Sequence, residues 1–191
     1  MSPRTSKQLQ EIKEQRGLLI IDSALKLFAS EGYVTTSMQS IARDAGVSKG
    51  NLYNYFESKE ELLKQVLMNG IIEFARIYGE SPRAPKDEKE FEKLILSNFN
   101  QVAANIDFWK LYYNLVAQPG VQHLFSEIFT PVVAEFVGLY SQYYKNKGYK
   151  NAETKAMLLG STFDGIMLGY IVMGESYPID EVLKELIEKY K

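Results

Sequence analysis

Residues 35–56 read TTSMQSIARDAGVSKGNLYNYF. Thr36 followed by Gln39 has the form of a capping box, so a helix is expected to start here. Met38, Ile41, Ala42 and Ala45 recur three and four apart, and Gly46 closes the helix after about nine residues. Ser48 is an N-cap for another short helix, expected to run to about Tyr55. Ala42 and Gly46 are small where the helices must approach, and Val47 and Leu52 are apolar where the second must bury its inner side. That is the packing pattern of a helix-turn-helix, whose second helix offers its outer face to a major groove. The outer face here carries Lys49, Gly50, Asn51, Tyr53 and Asn54, a cation for phosphate and amides for base edges.

Working outward, a first helix is expected from about Gln8 to Ser30, with Leu18, Ile21, Leu25 and Phe28 on one stripe, Ala24 and Leu27 beside them, and Gly32 ending it. Ser58 and Glu61 form a second capping box, opening a long fourth helix that buries Leu62, Leu63, Val66, Leu67, Ile71 and Phe74. Tyr78 to Lys89, with Gly79, Pro82 and Pro85, has linker composition. Helical patterns then run over Glu90–Asn105, Phe108–Ala117, Val121–Phe129, Pro131–Lys147, Ala152–Met173 and Ile179–Tyr190, with breaks at Pro119-Gly120, Pro131, Gly148 and Pro178. Sustained strand alternation is absent. The expected fold is all-α: a three-helix DNA-binding domain over residues 1–57, joined by the fourth helix to a larger helical domain over 58–191.

Composition narrows the function. The 191 residues are 46% hydrophobic and 24% charged, as in ordinary globular chains. With no cysteine and one histidine, there is no disulfide framework, thiolate metal site or cysteine nucleophile. No nucleophile elbow or phosphate loop occurs either, so the chain is read as a non-enzyme needing neither metal nor cofactor. The polar N-terminus, MSPRTSKQLQEIKEQRG, lacks a secretory apolar stretch, which predicts a cytoplasmic protein. Met157–Met173 is apolar but carries Ser161, Thr162 and Asp164, so a buried interface helix is preferred to a membrane span.

Net charge is −2, and residues 1–64 hold nine basic against eight acidic side chains, so any cationic surface must be local. Arg4, Lys7, Lys13 and Arg16 are read first as a solvated terminus rather than a DNA-binding arm.

The series Thr36, Ile41, Ala42, Ala45-Gly46-Val47-Ser48, Gly50, Leu52-Tyr53, Tyr55-Phe56 and Ser58-Lys59-Glu60-Glu61-Leu62 resembles the helix-turn-helix signature of the TetR family, the likeness covering about Leu18–Leu67. The resemblance implies a ligand-responsive transcriptional regulator, most often a repressor, that holds a near-palindromic double-stranded operator as a homodimer and is released by a small-molecule effector. It places Thr36 and Ser37 against a phosphate and Lys49, Gly50, Asn51 and Asn54 on the recognition face, with Tyr53, Tyr55 and Lys59 at backbone-contacting positions. Asn51 departs from the small hydroxyl residue common there, so no base preference transfers.

The second domain is expected to dimerise through Pro131–Lys147 and Ala152–Met173, with Phe136, Tyr140, Gly160, Phe163, Gly165, Met167, Gly169 and Tyr170 in the interface. The glycines, each costing about 1 kcal/mol in a helix interior, would mark close helix approach; an intrachain core is the other reading. Phe99, Trp109, Tyr112, Tyr113, Phe125, Phe129 and Met157 are the candidate walls of an effector cavity. His123 is read as a surface or hydrogen-bonding residue. A constitutive helix-turn-helix module without a ligand remains the alternative, since an aromatic core and an aromatic pocket read alike.

Overall fold

The computed structural model describes residues 5–76 and 83–191, apart from the side chains of Ser6, Leu9 and Phe74. The N-terminal Arg4, the linker residues Tyr78, Gly79 and Pro82, and the packing of Phe74 lie outside what it describes. Among the described residues there are helices and no strand. They are α1 (Ser6–Glu31), α2 (Met38–Asp44), α3 (Lys49–Tyr53), α4 (Lys59–Ala75), α5 (Glu88–Ala104), α6 (Ile106–Val116), α7 (Gln122–Asn146), α8 (Ala152–Met173) and α9 (Ile179–Tyr190), with a 3-10 turn at Gly174–Ser176 before α9. Two compact units are formed. One comprises residues 1–70 with 111–126, the other 71–110 with 127–191.

In the first unit, α1 is capped by Thr5, whose hydroxyl accepts from the Gln8 amide at 3.3 Å, and it ends at Gly32 with φ +94°. Its buried stripe is Ile20, Ala24, Leu25, Leu27, Phe28 and Ala29, whereas Leu18, expected inside, is half exposed. Ile41, Leu52, Leu62 and Leu67 complete a fully buried core. The compact unit does not stop near residue 57. Tyr112 of α6 lies across α4, donating its hydroxyl to the Leu67 carbonyl at 3.1 Å. A Cβ on Gly70 would fall 2.1 Å from its ring, so the crossing requires glycine. Beyond Tyr112, Asn114 donates to the Ala29 carbonyl at 2.7 Å and Gln118 to that of Phe28 at 2.8 Å, while the Gln118 carbonyl oxygen accepts from the Tyr33 amide at 2.8 Å. These amides donate to carbonyls in the last turn of α1, where that of Phe28 accepts from the Gly32 amide as well.

In the second unit, Phe91 of α5 stacks on Tyr143 at 5.1 Å and meets Tyr140 edge-on at 5.8 Å. Tyr144 donates to the Tyr190 carbonyl at 2.8 Å, tying α7 to α9, and Leu183, Leu186, Ile187 and Tyr190 bury one face of α9. The two helices expected on either side of residue 130 are one. Pro131 lies inside α7, and the helix runs through it despite the missing amide donor.

Candidate nucleic-acid interface

The cap of α2 is one residue later than the sequence suggested. Ser37 accepts from the Ser40 amide at 3.1 Å while its own amide donates to the Ser40 hydroxyl, so the capping box is Ser37–Ser40 and not Thr36–Gln39. Thr36 is 2% exposed, and its hydroxyl donates inward to the carbonyls of Gly32 at 2.8 Å and Leu27 at 3.2 Å. It fastens the α1–α2 connection, and the expectation of a phosphate contact from its side chain is corrected. Ser37 remains exposed.

The turn closes with the Val47 amide on the Ala42 carbonyl at 2.9 Å, and Gly46 takes φ +66°. Ser48 then caps α3, accepting from the Asn51 amide at 3.1 Å. Leu52 and Phe56 hold this short helix to the core at 0% and 7% exposure. Lys49, Gly50, Tyr53 and Asn54 are exposed and Asn51 partly so, all as expected. Tyr55 is half buried, its ring 3.8 Å from where a Cβ of Gly17 on α1 would lie. Gly50 has no positive φ, and a Cβ there would meet nothing within 4 Å. Nothing in the chain requires glycine at that position.

Lys59 departs from expectation. Its ammonium donates to the carbonyls of Tyr33 at 2.9 Å, Val34 at 3.0 Å and Thr36 at 3.0 Å, and sits 4.7 Å above the Tyr33 ring. All three of its hydrogens are committed inside the chain. Lys59 rivets the α1–α2 connection to α4, in place of the phosphate contact the sequence suggested. Burial, followed by the charge of Glu60, holds the Tyr33 phenol above its ordinary value. Nearby, the Glu61 amide donates to Ser58 and the Glu61 carboxylate accepts from the Glu57 amide, so the second cap stands where it was expected. Lys26 and Asp44 pair at 2.9 Å between α1 and α2, and that hydrogen bond is the main reason the Asp44 carboxyl lies below its usual value.

The other expected sites regroup. Tyr140, Phe163 and Met167 are buried within their own unit, a Cβ on Gly160 would press on Phe136 and one on Gly169 on Tyr177, and Tyr170 meets Phe99 edge-on at 5.1 Å. All seven of these candidates thus make intrachain contacts, with Phe136, Gly160, Gly169 and Tyr170 partly exposed. Gly165 alone of that set stands open. The apolar side chains that α8 does expose are Met157, Leu158, Leu168, Val172 and Met173, of which the sequence singles out Met157 alone, as a cavity wall.

The cavity candidates separate as well. Tyr112 and Phe125 meet edge-on at 6.2 Å in the first unit, Phe99 and Trp109 are buried, and Tyr113 is half buried. Phe129 and Met157 do line a groove between α7 and α8. Among the described residues no cluster of His, Asp or Glu could hold a metal.

Residues 20–66 match the family of bacterial regulatory proteins called tetR. Over 96 residues, 50% of this chain, the sequence is 35% identical to the uncharacterized HTH-type transcriptional regulator YuxN of Bacillus subtilis (strain 168) and spans 33% of it. Over 113 residues it is 29% identical to the HTH-type transcriptional repressor KstR2 of Rhodococcus jostii (strain RHA1), covering 59% of this chain and 53% of KstR2. The chain thus spans only about a third to a half of these relatives' length. Its fold is that of the transcriptional regulator FadR from Bacillus subtilis, solved in complex with stearoyl-CoA, with TM-score 0.70, 19% identity, and 90% of this chain and 95% of that one covered. The family match falls on the same two capped helices and glycine-marked turn that build the exposed outer face of α3, so over residues 20–66 the chain is similar to the TetR family of bacterial regulatory proteins.

Proposed function

We propose that the chain is a DNA-binding transcriptional regulator acting in the cytoplasm. It reads a near-palindromic operator as a homodimer, represses by occupying it, and is released by a small-molecule effector. The observation that carries this reading is the outer face of α3, where Lys49, Asn51, Tyr53 and Asn54 surround a Gly50 that the chain's own packing does not need. A bare backbone there lets a phosphate or base edge approach closely.

The dimer has its own support. By length and composition α7 and α8 are apolar enough to cross a membrane, yet only 17% and 28% of their most apolar windows are buried. In a water-soluble regulator such a surface needs a partner. The exposed series Leu158, Gly165, Leu168 and Val172 on α8 offers one to a second copy. Repression follows the relative named as a repressor, and the effector follows the relative solved with stearoyl-CoA.

Coupling has three covalent routes rather than one, because α4, α6 and α7 each run from one compact unit into the other. An effector shifts DNA binding only through unequal affinity for the competent and incompetent arrangements. The test is selection of a binding sequence from random duplex, followed by fluorescence anisotropy. A two-fold related site bound by two chains is expected; salt-sensitive binding without sequence preference would overturn the reading.

A further inference from the structure

The groove between α7 and α8 encloses about 330 Å³, at the lower end of small-ligand pockets. Phe129, Val133 and Phe136 wall it from α7 and Met157 and Phe163 from α8. Gly160 keeps it open, since a Cβ there would lie 3.1 Å from the Phe136 ring. Against these walls stand the Ser161 hydroxyl and a single charged group, the carboxylate of Asp164. No lysine, arginine or histidine lines the groove, and no hydrogen bond or ion pair to Asp164 is found among the described residues. Asp164 is exposed on the open side of the groove, and partial desolvation against its walls holds the carboxyl above the usual carboxylate range.

We propose that this groove binds an amphipathic organic cation, its alkyl chain along Phe129, Val133, Phe136 and Met157 and its ammonium head on Asp164, as the effector subsite of the regulator proposed above, on which reading this inference rests. Charge complementarity selects the class. An anionic head, a carboxylate or phosphate, would face an uncompensated carboxylate in an apolar setting and be repelled, while an ammonium supplies the missing partner. A second copy of the chain is the lesser candidate for occupant: of the exposed apolar side chains of α8 only Met157 lines the groove, while Leu158, Leu168 and Val172 lie outside it.

The experiment is calorimetric titration of the full chain with decyltrimethylammonium and with decanoate, both below their aggregation concentrations. Saturable binding of one ammonium per chain, and none of decanoate, is expected. Asp164→Asn should weaken the ammonium about tenfold. Met157→Lys, which sets a cation beside Asp164 at a half-exposed position, should abolish binding with unchanged helical melting. Equal binding of decanoate, or an Asp164→Asn titration matching the parent, overturns the proposal. Operator affinity is measured in parallel: an ammonium that binds without moving it supports the site and overturns the effector role. Release of operator by other compounds while the ammonium fails to bind keeps the effector reading and overturns this site.

Discussion

The Lys59 ammonium has no hydrogen left for a phosphate, whereas that of Lys49, exposed on the first turn of α3, makes no hydrogen bond or ion pair among the described residues. Removing the first should therefore damage the fold, and removing the second only the affinity. Lys59→Ala strands three carbonyls and is expected to cost about 1–3 kcal/mol in denaturant titration, with DNA affinity falling as a consequence. Lys49→Ala should leave the melting temperature alone and reduce the slope of log affinity against log salt by about one. A Lys59→Ala protein as stable as its parent would return that lysine to the list of phosphate contacts. Asn51→Ala should change which operator variants are preferred, and equal losses on every variant would contradict base reading.

Neither Lys59 nor Thr36 could be placed from sequence. Both side chains belong to types that usually face water, and apart from the Gly32 carbonyl beside Thr36 the carbonyls they satisfy lie 9 to 26 residues away along the chain, beyond any local pattern. Gly50, Leu52 and Ser48 were legible because their roles depend only on helix spacing and caps.

Among elements, the crossing of α6 over α4 and the end of α1 is what holds the reader's scaffold. Gly70→Ala drives a methyl into the Tyr112 ring and should destabilise by about 1–3 kcal/mol, the usual range for overpacking. Gln118→Ala strips the Tyr33 amide of its acceptor and the Phe28 carbonyl of one donor. It is expected to cost about 1 kcal/mol and to speed amide hydrogen exchange in the α1–α2 connection, as read by mass spectrometry. Exchange unchanged from the parent would show that the connection does not depend on α6. Gln118 precedes Pro119-Gly120, and in sequence it reads as an ordinary loop glutamine; only the return of the chain to α1 makes it structural. Pro131 misled for a related reason. A proline rule that holds for isolated helices lost to the packing of Val137, Tyr140 and Tyr144 farther along α7.

For the whole molecule, the exposed apolar stripe predicts assembly and the buried phenols predict its alkaline limit. Leu168→Glu should turn a dimer into a monomer by light scattering at micromolar concentration, with helical content retained. A variant that stays dimeric would place the contact elsewhere. Burial holds the hydroxyls of Tyr112 and Tyr144 well above the ordinary tyrosine value. A group raised in the folded state binds its proton more tightly there, so its contribution is complete below about pH 10 and declines as the unfolded chain ionises above that. Thermal melting from pH 8 to 11 should show this fall, and a curve flat through pH 11 would contradict it. The helices of the second unit were readable in sequence, but the faces they turn inward were not, because α8 carries apolar residues all round and its glycines fit an intrachain or an intermolecular crossing equally well.

The compact unit that carries the reader is made of two separated pieces of chain, 1–70 and 111–126. That discontinuity bears on how chains of this fold can be recombined. A hybrid cut at residue 57, or even at 70, would carry the reader away without Tyr112, Asn114 and Gln118, and the donor of the other half would present its own side chains to carbonyls they were not selected to meet. Gene fusion at a single junction should thus yield heads that bind operator weakly and melt early, whereas transplanting 111–126 together with 1–70 should restore both. In evolution the same arrangement makes the loop after α6 a passenger of the head: Gln118 meets main-chain groups of Tyr33 and Phe28, which no substitution at those two positions alters, so the constraint falls on Gln118 itself, although some ninety residues of chain lie between them.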